Sequence, residues 1–311
     1  MQSAGRSLAL STARIAYQGE AGAFSEEAAL RIAPQSSLVA CASFAETFAA
    51  IPGRADLILA PIENAIAGPV GDSLDLLFDR VCCGSAGEAS PSMRLYAIAQ
   101  VQLPIHMNLI ALPGTKIEEI RIIRSHPVAL QQCRRFLSRV ASQYGIAADP
   151  VYDTAGAVKQ MAAQGDATVA AIASERAASL YGGVLLARDI EDDPRNATRF
   201  LLLSTFVQET NAATHAKLVQ ETNAATHALF VVPLQSADTL AAILLMAKQN
   251  NFRLTRLFAR PWRGAAFQYR YAMEFALNAG DPQELESALR SIAPATAFAG
   301  SYDGTIQEEA R

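Results

Sequence analysis

Apolar residues along the chain fall into short runs separated by stretches of helical spacing. ARIAYQG, SLVAC, LILAPIE, LYAIAQVQL, NLIALP, IRIIRSH, VAAIAS and TRFLLLST are short, apolar and partly β-branched, the pattern of strands in a mostly buried sheet. Between them, SEEAALRIA, DSLDLLFDRV, PVALQQCRRFLSRV, TAGAVKQMAAQ and SERAASLYG place apolar residues on one helical face. The alternation predicts an α/β unit with parallel sheets over residues 13–206. GSAGEASPS, residues 84–92, reads as a loop inside it.

The pattern changes near residue 227. HALFVVPL reads as a strand, DTLAAILLMAKQNN as a helix, and RLTRLFARPW with FQYRYAMEFAL as a strand pair. DPQELESALRSI is a second helix with Asp281 as cap and Pro282 in its first turn, and AFAGSYDG is a last strand. The order βαββαβ over residues 227–304 is the ferredoxin-like split unit. A linker covers 207–226. In and just beyond it VQETNAATHA occurs at 207–216 and again at 219–228, so that one copy is expected to be redundant. Residues 1–12 read as a frayed extension without a cleavage signal, and 305–311 as a tail.

Composition narrows the function. Apolar residues make up 51% and charged residues 18%, enough for a large core, and the net charge of −4 comes without a basic block. Nucleic-acid and membrane partners are therefore not expected. The four cysteines, Cys41, Cys82, Cys83 and Cys133, lack metal-ligand spacing and read as reduced thiols of a cytoplasmic protein. His106, His126, His215 and His227 are scattered, so no metal is expected.

Polar chemistry concentrates where strands end. The first such junction, Gln18-Gly19-Glu20-Ala21-Gly22, leads to Ser25 as a cap; the second is Pro61-Ile62-Glu63-Asn64, ahead of a helix start at Asp72-Ser73. Ser125-His126-Pro127 and Asp153-Thr154 are two more. Helix N-termini at the carboxyl ends of strands offer unpaired amides to an anion. Asn196, Thr198 and Arg199 stand at the entry to the last strand, and Arg199 could clamp a carboxylate. Each junction alone is equally an ordinary cap. Residue chemistry reaches a cleft for a small organic anion and no further.

In order along the chain, YQGEAGAFSEEAA, PIENAIAGPVGDSLDLL, LPIHMNLIALPG, SHPVALQQC, DTAGAV, AAIASERAASLYG and NATRF resemble the prephenate dehydratase family, and the βαββαβ tail is similar to its ACT domain. The resemblance implies two α/β lobes like a type II periplasmic binding protein, with the active site between them and a ferredoxin-like ACT unit behind. It implies a lyase that converts prephenate to phenylpyruvate, carbon dioxide and water in phenylalanine biosynthesis, without a cofactor. Carried over residue by residue, Thr198 assists the leaving hydroxyl and Arg199 orients the site or binds a carboxylate. Asn64, Glu63, Ser125, His126, Gln131, Thr154, Phe200 and Gly19 are the implied substrate-binding residues. Arg260, Pro261 and Leu240 fall in the implied effector-binding segments, and a homodimer or homotetramer through the ACT unit is implied.

The chain departs from the family pattern in three places. Ala65 stands where a serine is usual, Phe258-Ala259-Arg260-Pro261 replaces E-S-R-P, and Asp238-Thr239-Leu240 replaces G-A-L. The last two weaken the expectation of phenylalanine feedback. Arogenate dehydratase activity is the alternative within the family, a decarboxylase that keeps the hydroxyl is disfavoured by Thr198, and a non-catalytic anion receptor with an ACT sensor is the alternative from another class.

Overall fold

The structure is a computed structural model that describes residues 13–81, 94–205, 225–234, 236–262, 266–278 and 280–304. The expected N-terminal extension, the 84–92 loop, the first VQETNAATHA copy and the tail lie outside these residues. The chain opens with β1 (Arg14–Gln18), α1 (Phe24–Ile32), β2 (Ser37–Cys41), α2 (Phe44–Ala49), β3 (Leu57–Asn64), the short β4 (Gly68–Pro69), α3 (Gly71–Val81) and β5 (Leu95–Pro104). β1 runs parallel to both β2 and β3.

The second lobe follows: β6 (Asn108–Ala111), β7 (Ile122–Ser125), α4 (Pro127–Gln132), α5 (Arg134–Tyr144), β8 (Ala147–Pro150), α6 (Thr154–Gln164), β9 (Val169–Ala173), α7 (Glu175–Tyr181) and β10 (Val184–Ala187). Its strands lie in the order β10-β6-β9-β7-β8. The chain then returns as β11 (Ala197–Thr205), inserted between β3 and β5 and antiparallel to both. The sheets are therefore mixed, not parallel: β6 is likewise antiparallel to β9 and β10. A strand arriving from the opposite lobe enters from the far end of the sheet, which reverses its direction. The two connecting segments hold one another, with Ile105 N–H donating to Asn196 O at 2.8 Å and Ile190 N–H to Met107 O at 2.9 Å.

Local chemistry explains the boundaries that strand and helix patterns missed. α2, unforeseen, is capped by Ser43, whose side chain accepts from Glu46 N. The helix expected over 127–140 breaks at Cys133. Its second half, α5, is capped instead by Asp192 from the interlobe connection, which accepts from the Arg134 and Arg135 amides at 3.1 and 3.0 Å. Ser25 is no cap, because α1 begins at Phe24, and Glu26 takes up the Gly22 amide at 2.8 Å.

The C-terminal unit comprises β12 (His227–Pro233), α8 (Ala237–Gln249), β13 (Arg253–Pro261), β14 (Tyr269–Ala276), α9 (Pro282–Ile292) and β15 (Ala297–Tyr302). Its strand order, β13-β14-β12-β15, is ferredoxin-like. Asp281 caps α9 as expected, with Pro282 in the first turn. The end of the second repeat copy is part of this unit, since His227 and Ala228 belong to β12 and the Thr226 amide donates to Tyr302 O at 3.1 Å. One sheet face is covered by α8 and α9 through Ile243, Ala247, Leu285 and Leu289. The other presents Leu229, Val231, Ala272, Ala299 and Tyr302 to Leu74, Leu77 and Phe78 of α3, forming one core with the first lobe.

The two sheets also join edge to edge, β15 beside β5, into one ten-stranded sheet. The junction is Gly300 against Ala97. Gly300 has φ +121°, and a Cβ there would lie 2.2 Å from Ala97 O, so neither the backbone angle nor the space admits a side chain. Gly300→Ala is expected to lose about 2 kcal/mol or more in chemical unfolding. Gly114→Ala, at φ +85° with open space around it, is expected to lose about 1 kcal/mol; equal losses would show that the close approach adds nothing.

Candidate functional site

β11 alternates its side chains between two faces, and the two faces do different work. Thr198 and Phe200 point one way, Arg199 the other. The pairing register sets Thr198 opposite Asn64 and Arg199 opposite Glu63, with an irregularity just beyond, before Phe200 pairs with Pro61. That bulge leaves Ile62 without a partner on β11, a device that re-aims the residues beside it.

On the cleft face, three amides close into a ring. Asn64 Nδ2 donates to Asn196 Oδ1 at 2.9 Å, Asn196 Nδ2 to Gln132 Oε1 at 2.9 Å, and Gln132 Nε2 to Asn64 Oδ1 at 3.0 Å. Asn64 Oδ1 also accepts the Ile66 and Ala67 amides at 3.0 and 2.8 Å. Two backbone donors on that atom fix the amide orientation, so Nδ2 must face Thr198, whose Oγ1 it meets at 3.0 Å. With its oxygen accepting from Asn64, the Thr198 hydroxyl has its own proton left to donate outward. The ring draws Asn64 from the first lobe, Gln132 from the second and Asn196 from the connection between them, so it also fixes how the lobes meet.

Farther out, the loop after β1 is fastened to the second lobe. Lys159 pairs with Glu20 at 2.8 Å and Arg176 with Glu26 at 2.6 Å. Ser174 Oγ donates to Gly22 O at 2.7 Å and Tyr181 Oη to Ala21 O at 2.9 Å, and the loop after β2 is held likewise, with Tyr152 Oη donating to Ala42 O. Gly19 belongs to this seam: its φ is +117°, and a Cβ would stand 3.4 Å from Asp153 Oδ1. Asp153 caps α6 by accepting from Gly156 N at 2.7 Å. Burial pushes its carboxyl up, against the Gly156 and Glu20 amides. Thr154 follows it, half-buried at the first position of α6.

Several residues expected in the cleft are elsewhere. Gln131 is exposed, and its neighbour Gln132 enters the ring, because one residue along a helix turns the side chain by about 100°. The buried positions Ala129, Gln132, Cys133 and Phe136 mark that face, and their spacing was readable. Ser125 is fully buried, donating to Ile172 O at 2.6 Å and tying β7 to β9. Phe200 is 2% exposed in the main core. Glu63 and Arg199 face the ferredoxin-like unit, where Arg199 meets Glu274 at 2.6 Å and Glu63 meets Arg256 at 3.1 Å. A carboxylate clamp by Arg199 is thereby ruled out, since its charge is already matched and 4% exposed.

The three residues expected at an effector site separate as well. Leu240 lines a cavity of about 740 Å³ in the ferredoxin-like unit together with Trp262, Tyr269 and Tyr271. Pro261 ends β13 without lining it, and Arg260 grips Asp75 of α3 with both carboxylate oxygens, at 2.7 and 2.8 Å. Where the two interlobe segments meet, His106 lies 3.1 Å from Asp189 and 3.2 Å from Glu191, a trio assembled from distant segments that spacing could not reveal.

His126, not Ser125, caps α4: its Nδ1 accepts from Val128 N at 3.2 Å, which requires a neutral ring. Burial lowers the imidazole pKa, and Asp153 opposes it. A histidine depressed by folding binds fewer protons in the fold than in the unfolded chain. Its contribution is full above the unfolded value of about 6.5 and is lost as pH falls toward the folded one. His126→Asn keeps a cap acceptor and is expected to lose less stability than the unaltered protein between about pH 7 and pH 5; parallel unfolding midpoints over that range would remove His126 as the source.

The architecture and site define a two-lobed α/β protein with a polar interlobe centre and a ferredoxin-like unit on the opposite face of the same sheet. A family model described as prephenate dehydratase matches residues 15–208, and the chain belongs to that family. It is 32% identical over 310 residues to arogenate dehydratase 1 of Petunia hybrida, covering 94% of this chain and 67% of that one. It spans under half the length of several Arabidopsis thaliana relatives. Among solved structures it is similar to the prephenate dehydratase of Arthrobacter aurescens in complex with L-Phe, at TM-score 0.75 and 26% identity over 96% of this chain and 92% of that one. It is also similar to GqqA, described as a novel type of quorum quenching acylase, at TM-score 0.73 and 26% identity over 94% of this chain and 98% of that one.

Proposed function

We infer that the chain is a prephenate dehydratase, releasing phenylpyruvate, carbon dioxide and water. The observation that carries this reading is the Asn64–Thr198 hydrogen bond, in which the threonine oxygen accepts and its own proton remains available to a substrate. In the reaction the bond to the ring carboxylate breaks, its electron pair completes the aromatic ring as the ring C–O bond cleaves, and the departing hydroxide takes up a proton from solvent to leave as water. Aromatisation supplies the driving force. Thr198 therefore needs to polarise the leaving oxygen by a hydrogen bond, which suits an alcohol that is a poor acid. Asn64, Asn196 and Gln132 hold that donor still. His126 and Thr154, at two helix starts, are the neutral groups proposed to meet the carboxylates.

An acylase reading, raised by one structural neighbour's description, needs an activated nucleophile. Thr198 accepts from an amide, and among the described residues no histidine or carboxylate is hydrogen-bonded to it. The dehydratase reading is preferred on that ground. Arogenate is the competing substrate, favoured by the description of the Petunia relative.

Dimerisation or tetramerisation through the ferredoxin-like unit, read as an ACT domain, and a cytoplasmic location complete the proposal. Cys41 and Cys133 are buried free thiols, in keeping with a reducing compartment. No helix among the described residues is long and apolar enough to cross a membrane. Phenylalanine is the proposed effector class, with a weak response because of the altered tail motifs.

Thr198→Ala is expected to lower kcat on prephenate by more than ~100-fold with little change in KM. Phenylpyruvate absorbance in alkali and phenylalanine release from arogenate are the two readouts; near-normal turnover in the variant would sink the assigned role. In the same assay, millimolar phenylalanine is expected to inhibit weakly or not at all, and strong inhibition would overturn the reading of the tail motifs.

A further inference from the structure

On the sheet face away from the cleft, four charged side chains close a second ring directly behind the amide ring. Arg199 Nη1 donates to Glu274 Oε2 at 2.6 Å, and Glu274 Oε1 accepts from Arg256 Nη1 at 2.5 Å. Arg256 Nε donates to Glu63 Oε2 at 3.1 Å, and that oxygen lies 3.4 Å from Arg199 Nε. Tyr302 Oη adds a bond to Glu274 Oε2 at 2.8 Å, and Arg199 Nη1 also reaches Gln100 Oε1 at 3.3 Å. Two positive and two negative charges balance. Arg199 and Glu274 are 4% and 1% exposed.

The membership of this ring is informative. Glu63 precedes Asn64 and Arg199 follows Thr198, so each partner in the Asn64–Thr198 bond is covalently attached to a member of the charged ring. The two pairs are successive rungs of one antiparallel ladder, next to the bulge. The other half of the ring, Arg256 and Glu274, comes from β13 and β14 of the ferredoxin-like unit.

We propose that Arg199 and Glu274 are positioning residues for Thr198: through the charged ring, the ferredoxin-like unit sets the rotation and register of β11 against β3 at the rung where Asn64 orients the threonine hydroxyl. The step from position to rate rests on the dehydratase reading above. The step from ring to hydroxyl does not. Removing one member strands a buried charge, which rearranges the strand carrying it. A geometric error of about 1 Å at a donor lowers turnover about 100-fold in demanding cases.

The test compares Glu274→Gln, the apolar pair Arg199→Met with Glu274→Met, and Asp79→Asn. The apolar pair guards against simple misfolding, because replacing both partners of a buried ion pair tends to preserve the fold. Asp79 pairs with Arg270 at 2.7 Å across the same two units, away from Thr198, and serves as the interface control. Each variant is read by kcat and KM on prephenate and arogenate, by thermal unfolding, and by the NMR resonances of the Asn64 side-chain amide.

Glu274→Gln and the apolar pair are expected to lower kcat about 10-fold or more with KM within about 2-fold, and to shift the Asn64 amide. Asp79→Asn is expected to change neither. A folded apolar pair with unaltered kcat and an unshifted Asn64 amide would overturn the proposal, as would equal kcat losses in Asp79→Asn. If the unaltered protein turns over neither substrate, the dehydratase reading fails, while the Asn64 resonances still decide whether the charged ring positions the amide.

Discussion

The pairing of β11 with β3 is the constraint on which the rest of the structure depends. A strand has two faces and successive residues must alternate between them. Given the register that sets Thr198 against Asn64, Arg199 has to meet Glu63 on the other side. One three-residue stretch, Ala197 to Arg199, therefore serves the cleft and the ferredoxin-like unit together. A slip of one residue would exchange the two faces, placing a guanidinium in the amide ring and a hydroxyl among buried carboxylates. The many bonds that tie β11 down, with β3 on one side and β5 on the other, resist that slip.

The same alternation accounts for what the sequence revealed and what it withheld. Strand and helix periodicity was legible through most of the chain, because apolar runs and caps such as Asp281 act locally. Thr198 and Asn64 were legible as members of ordered motifs. Arg199 and Glu63 were placed in the wrong environment, since motif membership does not say which face a residue occupies. Their partners, Glu274 and Arg256, lie far along the chain in a unit read as separate. The break at Cys133 was hidden for a related reason: Asp192, which caps α5, comes from the return connection. Helical phase pointed to Gln132 over Gln131, by the burial of Ala129, Cys133 and Phe136.

The electrostatics of the charged ring follow from its position. Burial pushes the Glu274 carboxyl up, but Arg199 and Arg256 overcome that and hold it below its usual range. Burial also opposes the charge on Arg199, and Tyr302, Glu274 and Glu63 around it together outweigh that. Both groups are thus charged in the folded protein: Glu274 carries no proton, and Arg199 holds its own too tightly to release one. The ring is therefore no proton donor to the cleft, and its hydrogen-bond geometry is what it fixes there.

Stability alone gives a weak reason for such a ring. Two charges taken out of water cost several kcal/mol each, and apolar side chains of similar size commonly hold a buried site as well or better. An apolar seam is already present beside it, where Leu229, Val231, Ala272 and Ala299 share a core with Leu74, Leu77 and Phe78. That seam can hold the two units together, but apolar contacts are non-directional and tolerate sliding and rotation. Hydrogen-bonded ion pairs do not, because N–H and carboxylate oxygen must align as well as approach. The ring stands behind the rung where Asn64 aims the threonine hydroxyl, and at that place angular constraint matters more than cohesion. The division of labour is physical: apolar burial joins the ferredoxin-like unit to the lobe, the Arg260–Asp75 and Arg270–Asp79 pairs and the Gly300–Ala97 edge orient it, and the charged ring adds its angular constraint at the rung beside Thr198.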